Sequence, residues 1–211
     1  MLIDFMQREI VVPGDIISEK PEHIENTYVY SNKTYSKVLG IYDSASRSLV
    51  PLEGSWKPRR DDSVVGIVTE VKNKVYIVDL SYFGKSFIIV GKYDEYAFKE
   101  GDVFYGEVKD IESRKNVVIK DAKKLEGGMI IHVKPKKVLR IIGKKSTMVR
   151  QISDITGTEI IIGLNGIIWL NGGRMDMAIK TIFKIEREAH KRGLTDAIKS
   201  YLEEEIRKEV I

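Results

Sequence analysis

The chain has 211 residues, enough for one large domain or two to three small ones, and its 43% hydrophobic content suffices for real cores. No apolar run approaches the roughly 20 residues of a membrane span, and the start MLIDFMQREI carries acids where a signal peptide needs a basic and then a long apolar region, so a cytoplasmic location without a membrane partner is expected. Cysteine is absent, which excludes disulfides, thiol nucleophiles and thiolate metal sites. The formal net charge of +4 is unevenly spread: residues 109–150 hold thirteen Lys and Arg against four Asp and Glu, a local net of +9 that leaves the remainder at −5. A basic segment in an otherwise slightly acidic chain points to a localised polyanion site.

In chain order, Ile10-Val11-Val12 is an apolar strand ended by the Pro13-Gly14 turn, and strand signals then recur about every ten residues. Thr27 to Tyr30, Tyr35 to Tyr42 and Leu49 to Leu52 are short and rich in Tyr, Val and Ile, with turn chemistry at Ser31-Asn32-Lys33 and Asp43-Ser44. A β unit of about sixty residues has a marginal core, so it is expected to lean on a partner or on the next domain. The proline and dense charge of Trp56 to Asp62 read as a linker pinned by Trp56.

Five strands follow: Val64 to Val71, Val75 to Leu80, Phe87 to Val90, Val103 to Ile111 and Val117 to Lys120. With glycines at 66, 84, 91, 101 and 106, they suit a small closed Greek-key barrel of the OB kind. Gly66, Val68-Thr69, Val71, Val78-Asp79-Leu80 and Gly101-Asp102 make the segment resemble an S1-motif RNA-binding domain. Lys74 and Ile77 stand where that family places two aromatic rings, so charge is expected to substitute for stacking. Lys72, Lys74, Lys85, Arg114 and Lys115 fall in the regions that border the family's groove and are candidate RNA contacts. Tyr76 is a further candidate contact, and Tyr76, Tyr82, Phe83 and Phe87 remain candidate stacking residues, although strand alternation sets Tyr76 opposite Ile77 and leaves it a core role equally open. Phe87 is expected in the core, and Asp79 in a turn or hydrogen-bonding role.

Ala122 to Gly128 reads as a second linker, and the strand Met129 to Val133 follows it. Pro135 suits a first helical position, and Val138, Leu139, Ile141 and Ile142 give a short helix one apolar side up to Gly143. Ser146 is expected to cap a second helix bearing Met148, Val149, Ile152 and Ile155, with Gly157 at its left-handed end. The corner between them sets backbone amides at a helix start beside two ammonium groups, an arrangement that grips phosphates without reading bases. Gly143, Lys144, Lys145 and Ser146, with Arg150 in the second helix, are therefore candidate RNA contacts. Glu159 to Ile162, the hairpin dipeptide Asn165-Gly166 and Ile167 to Leu170 come next. A helix from about Arg174 to Lys191 and another from Asp196 to about Glu209 complete the chain. On Ile142-Gly143-Lys144-Lys145, Met148, Ile152, Thr156-Gly157 and Ile160, this order resembles a type I KH domain whose GXXG loop ends in Ser146.

The expected fold is thus multidomain and mainly β: an N-terminal β domain over residues 1–62, a five-stranded OB-fold (S1) barrel over 63–125 and an α+β KH domain over 126–211. With Val11 to Asp15, Asn26-Thr27-Tyr28, Val38-Leu39-Gly40 and Gly163 to Trp169, that succession resembles the S1 and KH cap subunit of the archaeal RNA exosome. The resemblance implies a non-catalytic protein that binds single-stranded RNA, joins other copies of itself in a trimeric cap and docks through its N-terminal domain on a hexameric ring of phosphorolytic subunits. It implies no cofactor or metal. The residues agree, because the carboxylates are scattered or paired with lysines and no Gly-rich nucleotide loop is present. His23, His132 and His190 are read as structural or solvated. A free-standing RNA-binding regulator built from the same modules is the alternative, and only the N-terminal domain separates the two.

Overall fold

The computed structural model describes residues 8–73, 75–89, 98–112, 115–189 and 193–209, which form two compact units divided after Gly54. The first unit carries β1 (Arg8–Val11), β2 (Ile16–Ser18), β3 (Thr27–Tyr30), β4 (Lys33–Ser36), β5 (Gly40–Asp43) and β6 (Ser48–Pro51). They pair as two three-stranded antiparallel sheets, β1-β5-β6 and β2-β4-β3. The single strand expected from Tyr35 to Tyr42 is therefore two strands in different sheets. Ser36 makes the break: its hydroxyl donates to the Val38 carbonyl at 2.7 Å and accepts the Val38 N–H at 3.2 Å.

Val11, Tyr42 and Leu49 are the fully buried apolar side chains of this unit's core. At about 1.5–3 kcal/mol each they give the small core that the length implies. Hydrogen bonds from one buried hydroxyl add to it, since Thr34 Oγ1 donates to the Lys20 carbonyl and accepts the Glu22 N–H, both at 2.8 Å.

The second unit opens with β7 (Ser63–Lys72), β8 (Val75–Asp79), β9 (Ser86–Ile89), β10 (Val103–Ile111) and β11 (Val117–Leu125), closed into a barrel in the order β10-β11-β9-β8-β7. Only the β9–β11 seam is parallel. Inward alternation along the strands sends Val64, Val68, Val78, Ile88, Phe104, Val108 and Ile119 into one core. Trp56 joins that core, and its indole N–H donates to Asp62 at 3.0 Å, so the charged stretch before the barrel closes it from one end.

β11 runs five residues past Lys120, into what reads as a linker. Ala122 is buried there, and Lys124 reaches back to Asp102 at 2.9 Å, which lets a charged segment stay in the ladder.

Beyond the barrel come β12 (Met129–His132), α1 (Val138–Ile142), α2 (Thr147–Thr156), β13 (Glu159–Ile162), β14 (Ile167–Asn171), α3 (Met175–Glu188) and α4 (Leu194–Glu209). The three strands form an antiparallel sheet in the order β12-β14-β13. β14 reads Ile-Ile-Trp-Leu without alternation because both of its faces are buried. Ile168 and Leu170 meet Ile141, Met148, Ile152, Ile182 and Ile198 of the helices. Ile167 and Trp169 point the other way and meet Val65, Val103, Tyr105 and Leu125 on the outside of the barrel.

Asn165 locks this second contact. It is 2% exposed, its amide nitrogen donates to the carbonyls of Val65 at 2.8 Å and Leu80 at 3.0 Å, and its Oδ1 accepts the Val65 N–H at 3.3 Å. The Leu164 N–H adds a bond to the Ser63 carbonyl at 2.8 Å. Barrel and α+β sheet are joined by an apolar layer and a satisfied polar clamp.

Candidate nucleic-acid interface

The corner between α1 and α2 follows from one glycine. Gly143 takes φ 74 and ψ 172, which stops α1, and a Cβ there would lie 2.7 Å from the Met148 side chain, so only glycine lets α2 start this close. Lys145 and Ser146 then both hold left-handed backbone, at φ 53 and φ 60.

That conformation overturns one expectation, because Ser146 makes no side-chain cap on α2. Thr147 Oγ1 turns back instead and donates to the Lys144 carbonyl at 2.9 Å. The start of α2 thus has neither a side-chain cap nor an acid in its first turn, while Lys144 and Lys145 stand exposed beside it. Arg150 is exposed on the next turn of the same helix. A run of phosphates meeting this corner finds helix-start amides, two ammonium groups and a guanidinium.

On the barrel, the outer face of β8 and β9 carries a shallow groove of about 930 Å³ lined by Lys72, Asn73, Val75, Ile77 and Phe87. Ladder pairing explains the lining: Ile77 lies directly opposite Phe87, and cross-strand partners share a face. Phe87 is therefore half-buried on the outside rather than in the core. Tyr76 pairs with Ile88 and points inward; it is 6% exposed, with its ring 5.3 Å from that of Phe98. Tyr76 leaves the set of candidate contacts, and Phe87 places an aromatic ring on the outer face beside Ile77. Lys72 is exposed at the end of the groove and pairs with Glu70 at 2.7 Å. A surface pair of this kind is worth about 0–1 kcal/mol, so a phosphate can displace it.

Lys85 and Lys115 lie away from that groove, in the β8–β9 and β10–β11 connections, where Val117 N–H donates to the Lys85 carbonyl at 2.9 Å. Both are exposed. Lys74, Arg114 and His190 lie outside the described residues. Asp79 has the turn role expected of it, accepting the Ser81 N–H at 2.7 Å.

Elsewhere on the barrel three cations are paired with acids, Lys120 with Asp61, Lys124 with Asp102 and Arg60 with Asp110. Lys120 holds the Asp61 carboxyl below its usual range, Lys124 with the Lys99 N–H does so for Asp102, and the Arg60 guanidinium for Asp110. Lys144, Lys145 and Arg150 have no carboxylate partner among the described residues, so the α1–α2 corner carries three unneutralised positive charges. Among the described residues no three His, Asp or Glu side chains are placed to hold a metal ion.

Residues 8–53 match the family model of the exosome RNA binding protein RRP4 N-terminal domain, and residues 128–174 that of the KH domain. The chain is 34% identical to exosome complex component Rrp4 of Pyrococcus horikoshii, over 92% of this chain and 82% of that protein. It is 33% identical to the Methanothermus fervidus component of the same name, over 93% and 96%, and 35% identical to that of Picrophilus torridus, over 93% of each. A solved crystal structure of a candidate exosome complex RNA-binding protein superposes with a TM-score of 0.64 at 25% identity, covering 74% of this chain and 99% of that one.

Proposed function

The chain belongs to the Rrp4 family of exosome complex components, and on that premise we propose that it is a non-catalytic, RNA-binding cap subunit of an archaeal exosome. It binds single-stranded RNA, feeds it to a hexameric ring of phosphorolytic subunits for degradation from the 3′ end, and stabilises the assembly. In this reading residues 1–62 dock on the ring, the barrel and the KH domain present the RNA-binding surface, and three copies form the cap in the cytoplasm.

The observation that carries the reading is that the match runs through the N-terminal module, residues 8–53, as well as through the RNA-binding part. A free-standing RNA-binding protein would have no need of that module. The chain's own residues supply grip rather than chemistry: the Gly143 to Ser146 corner and Arg150 engage phosphates through charge and helix-start amides, and the Ile77–Phe87 face offers an apolar bed for bases. Neither demands a sequence, which suits a subunit that must pass any strand.

Titration of a labelled oligoadenylate into the full chain is expected to show binding that weakens steeply with salt. Binding that is absent at low salt, or indifferent to salt, would refute the RNA-binding half of the proposal.

A further inference from the structure

Phe83 has no place in the barrel's core and is 74% exposed. Its ring leans on Tyr82 at 4.5 Å between centroids, and Tyr82 in turn meets the buried Trp56 edge-on at 5.7 Å. The three rings form a staircase from the barrel interior to its surface. Lys115 Nζ stands over the outermost ring, 4.9 Å from its centroid.

The backbone beneath is held from both sides. A Cβ on Gly84 would clash with the Lys115 carbonyl oxygen, so the absence of a side chain lets the β8–β9 connection lie directly on the β10–β11 turn. The Val117–Lys85 bond ties the same two segments, and Asp79 braces the start of the connection through Ser81. A large apolar ring is thus presented to solvent on a fixed platform, with the Lys115 ammonium over it and the exposed Lys85 two residues further along the chain.

We propose that Phe83 and Lys115 form a base-stacking step for single-stranded RNA, separate from both the Ile77–Phe87 groove and the Gly143–Ser146 corner. An unpaired base lies on the Phe83 ring in place of the Lys115 ammonium, which moves to a flanking phosphate. The chemistry favours a nucleic-acid strand over a protein: an exposed ring with one cation at its face offers stacking to any base and charge to a neighbouring phosphate, whereas a protein partner would need a contiguous apolar patch. The step rests on the RNA-binding reading above.

The test compares the full chain with Phe83→Ala and Phe83→Trp, both at an exposed position where the fold is not at stake, using labelled oligoadenylate over a salt series. Phe83→Ala is expected to weaken binding about tenfold, in the range that the loss of one base–aromatic stack gives, with the salt slope unchanged because no charge is lost. Phe83→Trp is expected to retain affinity, with tryptophan fluorescence quenched as RNA saturates. Equal affinity in Phe83→Ala, or no fluorescence change in Phe83→Trp, overturns the stacking step while leaving the RNA-binding reading intact. Unchanged RNA binding with impaired association with ring subunits would assign the ring to a protein contact instead, and failure of the parent chain to bind RNA overturns both proposals.

Discussion

Lys145 and Ser146 hold left-handed backbone in succession, and such a residue costs about 1–2 kcal/mol unless it is glycine. Where the GXXG pattern would place glycine, this chain bends serine into left-handed backbone, so the departure carries strain. Ser146→Gly is therefore expected to stabilise the chain by about 0.5–1 kcal/mol in urea unfolding, with RNA affinity maintained. A destabilised variant would show that the serine hydroxyl matters after all. Reversing both corner charges, Lys144→Glu with Lys145→Glu, is expected to weaken oligoadenylate binding and to reduce the slope of log affinity against log salt by about 1 to 2. An unchanged slope would make the corner a bystander.

At this scale, residue spacing announced the corner lysines but could not announce backbone angles, which is why Ser146 read as a cap. Nor could it show that Phe87 would face outward. Periodicity over three residues does not fix which face is which, and the answer came from register against Ile77.

Between elements, the clamp from the β13–β14 hairpin to β7 carries the coupling of barrel and KH domain. Asn165→Ala removes three hydrogen bonds and leaves the buried Val65 and Leu80 backbone groups without them, so a loss of about 3 kcal/mol is expected. Hydrogen exchange at β7 and β14 should rise together, and exposure confined to β14 would contradict a shared lock. The dipeptide Asn165-Gly166 was legible as a turn, yet the second duty of Asn165 was not, because its partners lie 85 and 100 residues away in the chain. The four consecutive apolar residues of β14 were the available hint, since a strand with one wet face would alternate.

The barrel also has a predictable acid limb. Asp61, Asp102 and Asp110 have carboxyls held low by Lys120, Lys124 and Arg60. Groups of that kind favour the folded state above the ordinary carboxylate range, and their contribution disappears as pH falls through the lowered folded values. Thermal midpoints should thus stay level from neutral pH down to about pH 4 and fall below it, and Asp102→Asn should make that fall shallower. An Asp102→Asn chain as acid-sensitive as its parent would remove that pair from the account.

For the whole molecule, the succession of β module, barrel and KH domain was readable from turn chemistry, glycine placement and the switch from alternation to helical spacing near Pro135. What the pattern could not reveal was that residues 55–62 close the barrel through Trp56, or that barrel and KH sheet share an apolar layer, since both depend on contacts between segments that each look self-contained. The N-terminal unit divides from the rest after Gly54, so a chain lacking it should keep its RNA binding and lose association with phosphorolytic subunits.

The most direct measurement is the native mass and activity of the tagged protein isolated from its own cells, assayed for phosphate-dependent degradation of polyadenylate. The account predicts a large particle in which RNA is degraded only while partner subunits are present, and no degradation by the isolated chain. A lone monomer that binds RNA, or a pure chain that degrades it unaided, would contradict the cap assignment.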